Sequence, residues 1–172
     1  MRDPVIPSRF PALRTMVEQE FTDTQSIDID WLEYSPLIRD KEFLIKTINT
    51  FHGRRWIDLI YSDIADEYDS DTSMAYYFIL PFCGIDLLPA VLCQSLDDLP
   101  EMNRCAYLIE NSLFTEISYR NDQDKYLLID KLDRNKLAIC CSLLYFTCTY
   151  TYQPPSEEHE RYIRRKIAET SQ

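Results

Sequence analysis

The chain has 172 residues, of which 45% are apolar and 27% are charged, proportions that suit one globular domain and exclude a disordered or low-complexity chain. It contains only two glycines, far below the usual share of about 7%, which excludes a glycine-rich nucleotide-binding loop. Its 29 acidic residues outnumber its 18 basic ones, and the formal net charge of −11 opposes direct binding to nucleic acid or to anionic lipid.

Helical spacing of apolar residues dominates the first third of the chain. The pattern predicts a helix over about 9–21 and an irregular segment over 22–35. A second helix is expected to begin after the cap residue Asp40 and to end just before Gly53. A short helix around Trp56 follows it.

The stretch 74–93 is 20 residues long and carries Asp86 as its only charge, so its length matches that of a membrane span. Pro81, Gly84 and Pro89 interrupt it, and no basic anchor follows its aromatic end. We therefore predict two short buried helices here, the second of them over about 85–96, and no membrane association.

Cap residues divide the rest of the chain. The expected elements are a helix over 99–113 capped by Asp98, a short strand over 114–119, a helical turn over 126–129 begun by Asn121 or Asp122, a long helix over 134–150 begun by Asp133, and a last helix capped by Ser156. The long helix is apolar nearly all round, which is typical of a buried central helix.

These elements together predict an all-α fold. We expect a single-domain bundle of about six to eight helices packed around the buried helix 134–150. The helical domain is predicted over 1–153. Pro154 and Pro155 separate it from an amphipathic C-terminal helix or tail over 154–172.

The six cysteines indicate a reducing compartment. Most of them lie among aliphatic and aromatic neighbours, where a free thiol behaves as a small hydrophobe. The adjacent pair Cys140 and Cys141 is poorly suited to bridging, and no signal peptide is visible at the N-terminus. A cytoplasmic location is expected.

No catalytic or metal-binding motif is recognisable, so neither a catalytic residue nor a cofactor is predicted. The chain has no Cys-x-x-Cys, no His-x-x-x-His and no Gly-x-Ser-x-Gly pattern. An EF-hand loop started at Asp69 would put Met74 at the glycine position and Leu80 at the bidentate glutamate position. Carboxylate pairs such as Asp28 with Asp30 leave a metal-dependent carboxylate enzyme open as an alternative.

The acidic residues are segregated along the chain. Between Arg14 and Arg39 lie six acids and no Lys or Arg, and between Arg55 and Arg104 lie ten acids and again no base. We call residues 15–38 the first acidic stretch and residues 56–103 the second acidic stretch; together they carry a charge of −16. If the two stretches meet in space, their field attracts a cationic partner.

The second acidic stretch also supplies aromatic rings beside its carboxylates. Tyr and Trp are the residue types that anchor protein interfaces, and the surrounding acids steer a basic partner. The predicted partner-contacting residues are Asp58, Tyr61, Asp63, Asp66, Glu67, Tyr68, Asp69, Asp71, Asp97, Asp98 and Glu101.

In size, acidity, reduced cysteines and absence of a catalytic motif, the chain resembles the small cytosolic immunity proteins that neutralise toxins of bacterial contact-dependent competition systems. The resemblance implies a bacterial inhibitor that binds a basic toxin, foremost a nuclease, and occludes its active site. Its carboxylates would then stand where substrate phosphates lie. The alternatives are the metal-dependent carboxylate enzyme and a DNA-mimicking regulator of a DNA-binding protein.

Overall fold

The protein folds into packed helices, as predicted. A computed structural model describes residues 10–27, 41–60, 80, 84–98, 105–117 and 126–170. These residues form α1 Pro11–Glu20, α2 Lys41–Phe51, α3 Trp56–Ile60, α4 Leu88–Asp98, α5 Cys105–Leu113, α6 Arg134–Thr151 and α7 Glu157–Thr170, with the strands β1 Glu116–Ile117 and β2 Tyr126–Leu127 and short 3₁₀ helices at Gly84–Asp86 and Leu128–Lys131. Among the described helices, none is both long and apolar enough to cross a membrane.

Among the described helices, α4 is the most completely buried. Its side chains from Leu88 to Leu96 are buried except for the half-buried Gln94, and it contacts α1, α3, α5 and α6. The one hydroxyl in this run is satisfied locally, because Ser95 Oγ donates a hydrogen bond to the carbonyl of Val91 at 2.8 Å. Pro89 is accommodated because it lies in the first turn, where a backbone N–H has no helical partner.

The N-terminal helices agree with their sequence signals. Helix α1 begins at Pro11, and α2 ends two residues before Gly53, whose φ of 74° lies in the left-handed region that favours glycine. Residues 21–27, which precede α2 in the chain, lie against the start of α3 and the end of α2. The N–H of Ile27 donates to the carbonyl of Arg54, and the N–H of Gly53 donates to the carbonyl of Ile27.

Within the described residues 114–117 and 126–131, the structure departs from prediction in one place. A short strand is found as expected at Glu116–Ile117, but the helical turn predicted over 126–129 begins only at Leu128. Tyr126 and Leu127 instead pair antiparallel with the first strand, and the chain continues into the 3₁₀ helix Leu128–Lys131. The apolar run at 126–129 is too short to reveal its period, so the distant pairing decides its conformation.

Helix α6 begins as predicted at Asp133. The Asp133 carboxylate accepts hydrogen bonds from the backbone N–H groups of Asn135 and Lys136, which satisfies two donors of the first turn. The helix is the longest of those described and contacts α1, α4, α5 and α7. Phe10, just before α1, packs edge-on against Phe146 of α6 with ring centroids 5.2 Å apart.

The C-terminal helix α7 is docked on the rest of the molecule through Glu110 of α5. The buried Glu110 carboxylate accepts a hydrogen bond from the backbone N–H of Ser156 at 2.8 Å and lies 2.6 Å from Nδ1 of His159. The His159 ring stacks on Phe114, with centroids 3.7 Å apart. Ile163, one turn further along, is fully buried. These contacts fasten the N-terminal half of α7.

A second carboxylate holds the middle of α7. Asp130, in the 3₁₀ helix before α6, accepts a hydrogen bond from the Tyr162 hydroxyl at 2.7 Å and pairs with Lys166 at 3.2 Å. The hydrogen bond to Asp130, together with burial, raises the pKa of the Tyr162 hydroxyl. That hydroxyl therefore stays a donor at neutral pH. The helix is therefore packed against the body by one buried and one half-buried acid.

We predict that Glu110→Ala loosens α7 while the rest of the fold remains. The change removes the acceptor for the Ser156 N–H and the partner of His159, a loss of about 1 to 3 kcal/mol for bonds to a charged group. Amide hydrogen exchange within Glu157–Thr170 is then faster than in the wild type. Glu158→Ala, an exposed glutamate of the same helix, is the matched control. Equal exchange in the two variants would contradict the role of Glu110.

Candidate functional site

Most of the predicted contact residues lie outside the described part of the chain. Asp58 is exposed at α3, where Oδ2 of its carboxylate accepts a hydrogen bond from the N–H of Arg55 at 3.3 Å. Asp97 and Asp98 belong to the last turn of α4, but their side chains are not described. The remaining members fall outside the described residues: Tyr61, Asp63, Asp66, Glu67, Tyr68, Asp69, Asp71 and Glu101. Their role in partner binding stays a prediction.

The described residues nevertheless contain a cluster of carboxylates around one lysine, which we call the Lys136 cluster: Asp23, Asp86, Asp133 and Lys136. The Lys136 side chain is only 8% exposed, and its ammonium donates to Asp23 at 3.0 Å and to Asp133 at 2.9 Å. Both carboxylates are largely exposed, at 68% and 55%. The alkyl stem of Lys136 is buried while its charge is neutralised by two acids that face solvent.

Asp86 joins the cluster through the segment 21–27. The Asp86 carboxylate accepts a hydrogen bond from the backbone N–H of Gln25 at 2.8 Å, two residues after Asp23. Asp23 and Gln25 belong to the first acidic stretch, and Asp86 belongs to the second. This bond is thus a direct contact between the two base-free stretches, which are 61 residues apart at this point.

The electrostatics of the cluster are uneven. Burial raises the pKa of the Asp86 carboxyl, the hydrogen bond from Gln25 opposes that shift, and the nearby Asp23 charge adds to it. The backbone bond from Lys136, helped by the Lys136 ammonium, lowers the pKa of Asp133. Burial alone would lower the pKa of Lys136, but its bonds to Asp133 and Asp23 outweigh burial and raise it. The cluster formally contains three carboxylates and one ammonium.

The basic residues of α7 are engaged away from this cluster. Arg164 pairs with Glu160 at 2.6 Å, Arg165 approaches Glu169 at 3.8 Å, and Lys166 pairs with Asp130 at 3.2 Å. The helix thus satisfies much of its positive charge with its own glutamates and with Asp130.

The cysteines whose side chains the structure describes match the prediction of buried thiols. Cys93, Cys140, Cys141 and Cys148 are all free and buried. Burial raises the pKa of Cys141 and of Cys148 to about 11, and it raises the pKa of Cys140 further. A thiol with such a pKa is protonated at neutral pH and is a poor nucleophile or metal ligand.

We looked for a possible metal site within residues 10–27, 41–60, 80, 84–98, 105–117 and 126–170. In that part of the chain, no group of three or more His, Cys, Asp or Glu side chains is placed to hold an ion. The half-buried His159 is engaged with Glu110 and Phe114 in the docking of α7.

Comparison of the chain with protein-family models, with curated proteins and with solved structures found no match. The roles of these side chains follow from their contacts and charges alone.

None of the residues of the Lys136 cluster is among the predicted contact residues, although the sequence indicates a role for some of them. The sequence predicts Asp133 as a helix cap, and a Lys three residues later lies on the same side of the helix, where an ion pair forms. Asp23 and Asp86 were counted in the acidic stretches. No local pattern could have paired Lys136 with Asp23, which is 113 residues away in the chain.

We predict that Asp86→Asn stabilises the fold at pH 7 by about 0.5 kcal/mol, a figure reduced for solvent screening. The amide oxygen can still accept the Gln25 hydrogen bond, while the half-buried charge and its repulsion with Asp23 disappear. Because the folded-state pKa of Asp86 lies above its usual 3.8, ionisation of this group opposes folding at higher pH. The gain should vanish as the pH falls below 3.8, where the wild-type carboxyl is also neutral.

Urea unfolding at pH 7 and at pH 3.5 measures the change in the free energy of unfolding under the two conditions. Asp58→Asn, which removes one exposed charge from the same acidic stretch, is the control and should change stability equally little at the two pH values. A loss of stability in Asp86→Asn at pH 7 would show that the charged hydrogen bond outweighs burial.

Proposed function

We propose that this chain is an acidic binding protein that neutralises a basic partner, and specifically an immunity protein that occludes the active site of a bacterial nuclease toxin. The observation that supports it best is the contact of the two acidic stretches at the Asp86–Gln25 hydrogen bond. Acids from distant parts of the chain are thereby drawn toward one region, where their fields add.

The charge balance at the Lys136 cluster favours a cationic partner. Asp23 and Asp133 expose most of their carboxylates, and Lys136 offsets only one of the three negative charges. Mutual repulsion of like charges costs stability in the free protein, and a basic partner relieves that cost on binding. Carboxylates spaced over a surface also resemble the phosphates of a nucleic acid, which a basic nuclease recognises by charge.

A cytoplasmic site of action is part of this proposal. Four buried thiols with no disulfide among them are compatible with a reducing compartment. An immunity protein acts where its toxin would damage the producing cell, and the substrate of a nuclease toxin is in the same compartment.

We predict that reversing three acids of the second acidic stretch, Asp63→Lys, Asp66→Lys and Glu67→Lys together, slows association with the basic toxin that this proposal expects to be encoded immediately upstream. At low salt the association rate should fall by roughly tenfold or more, because the steering field is lost. The salt dependence of that rate should flatten as well. Stopped-flow mixing with the inactivated toxin domain at several salt concentrations measures both effects.

The matched control is the triple variant Glu157→Lys, Glu158→Lys and Glu169→Lys. It changes the net charge by the same amount but alters acids outside the two stretches, so its association rate should stay within about twofold of wild type. Equal rates for the two triple variants at low salt would show that overall charge, and no defined patch, governs binding.

Lys136→Met tests the Lys136 cluster by making it more negative, whereas the triple variants make the protein less negative. The substitution keeps a long apolar stem over Phe21, whose ring lies 5.8 Å from the Lys136 ammonium, but removes the positive charge. Association should then be faster than wild type if the cluster faces the partner. An unchanged rate in a variant that folds normally by circular dichroism would place the partner elsewhere.

Growth protection separates immunity from the other possibilities. Coexpression of this chain should rescue cells that produce the toxin expected upstream, and the purified pair should form a stable complex. Absence of both results would overturn the proposal. Capture of a DNA-binding regulator that DNA displaces would favour the DNA mimic, and a stoichiometric Mg²⁺ or Mn²⁺ site by calorimetry would favour the carboxylate enzyme.

A further inference from the structure

A groove of about 380 Å³ runs between α6 and the C-terminal part of α7. That volume falls within the range of roughly 300 to 1,000 Å³ that small-molecule sites occupy. Helices α6 and α7 are joined by a short turn, so the groove lies at the open end of this pair. Its lining consists of Arg134, Leu137, Ala138, Cys141, Ser142 and Tyr145 from α6, and Ile167 and Thr170 from α7.

The floor and walls of the groove are apolar. Leu137 and Cys141 are buried beneath it, while Ile167 on the α7 side keeps 40% of its surface exposed. Ala138 and Ser142 lie one turn apart on α6, and their small side chains leave the groove open. The Ser142 hydroxyl donates to the carbonyl of Ala138 at 2.7 Å, so it leaves no unsatisfied donor in the groove.

One full positive charge lines this groove. The Arg134 side chain is exposed at the end formed by the first turn of α6, and it pairs with no carboxylate of the described residues. Lys136, two positions along the helix, points about 200° away around the axis and takes Asp133 as its partner. Arg134 therefore lines the groove with a solvated guanidinium that a ligand can reach.

We propose that this groove binds an aliphatic carboxylate, with its hydrocarbon chain along Leu137, Cys141 and Ile167 and its carboxylate on the guanidinium of Arg134. A guanidinium binds carboxylates through two parallel hydrogen bonds, and Arg134 supplies that group in this groove. The α6 lining from 134 to 145 rises about 16 Å, a length suited to a medium-chain fatty acid.

A single charge followed by a continuous apolar surface selects this class of ligand over others. A phosphate-bearing or sugar-bearing ligand needs several polar partners, whereas the groove offers one cation, and its Ser142 and Thr170 hydroxyls already donate to helix carbonyls. The Cys141 thiol remains neutral and adds to the apolar floor. The site does not rest on the proposed function, because its charge is opposite to that of the acidic stretches.

The test uses decanoate, and 1-decanol as a neutral ligand of equal chain length, both below the concentration at which they aggregate. Binding is followed by the amide and methyl NMR signals of Ala138, Leu137 and Ile167. Decanoate should bind at one site with a Kd on the order of 10⁻⁵ M, and decanol should bind about tenfold more weakly.

Arg134→Gln should weaken decanoate binding by about tenfold and leave decanol binding unchanged. Arg161→Gln, an exposed arginine of α7 that does not line the groove, should change neither. The double variant Ala138→Leu with Ser142→Leu fills the groove at two exposed positions and should abolish binding of both ligands.

Three outcomes would overturn the proposal. These are binding of decanoate only above its aggregation concentration, equal effects of Arg134→Gln and Arg161→Gln, and wild-type affinity in the filled-groove variant. Unfolding of each variant by urea shows that the fold is retained, so a loss of binding reports the groove itself.

Discussion

The anchoring of residues 21–27 on α3 is the interaction on which the rest of the structure depends. The indole N–H of the buried Trp56 donates to the carbonyl of Phe21 at 3.1 Å, and Phe21 itself is fully buried. Backbone bonds between Ile27 and the end of α2 hold the other side of this segment. Because the segment is held at both ends, Asp23 between them reaches the Lys136 ammonium and lies near Asp86.

Much of the fold was predictable because its helices carry local signals. Asp133 caps α6, Gly53 follows the end of α2 in a left-handed conformation, and Pro11 opens α1. Each signal acts within a few residues, so the sequence alone reveals it. The conformation of Tyr126 and Leu127 was missed because it depends on a pairing with Glu116 and Ile117.

The candidate site was predictable in its charge and not in its geometry. Counting acids along the chain identified the two stretches, but the bond that joins them connects Gln25 with Asp86 across 61 residues. In a sequence, a helical Lys beside a capping Asp is typical of a solvated surface pair. In the structure, the Lys136 side chain is almost wholly buried between elements far apart in sequence. Such contacts depend on how helices pack, which a single sequence does not encode in any short pattern.

The turn between α6 and α7 has a consequence for how firmly the last helix is held. The helix α6 ends at Thr151, the cap residue Tyr152 takes a left-handed conformation with a φ of 57°, and Pro154 and Pro155 restrict the residues that follow. So short and stiff a tether keeps α7 at a high effective concentration over its docking surface. Contacts that would be too weak to join two separate molecules, such as those of Glu110 and Asp130, therefore suffice to keep this helix bound.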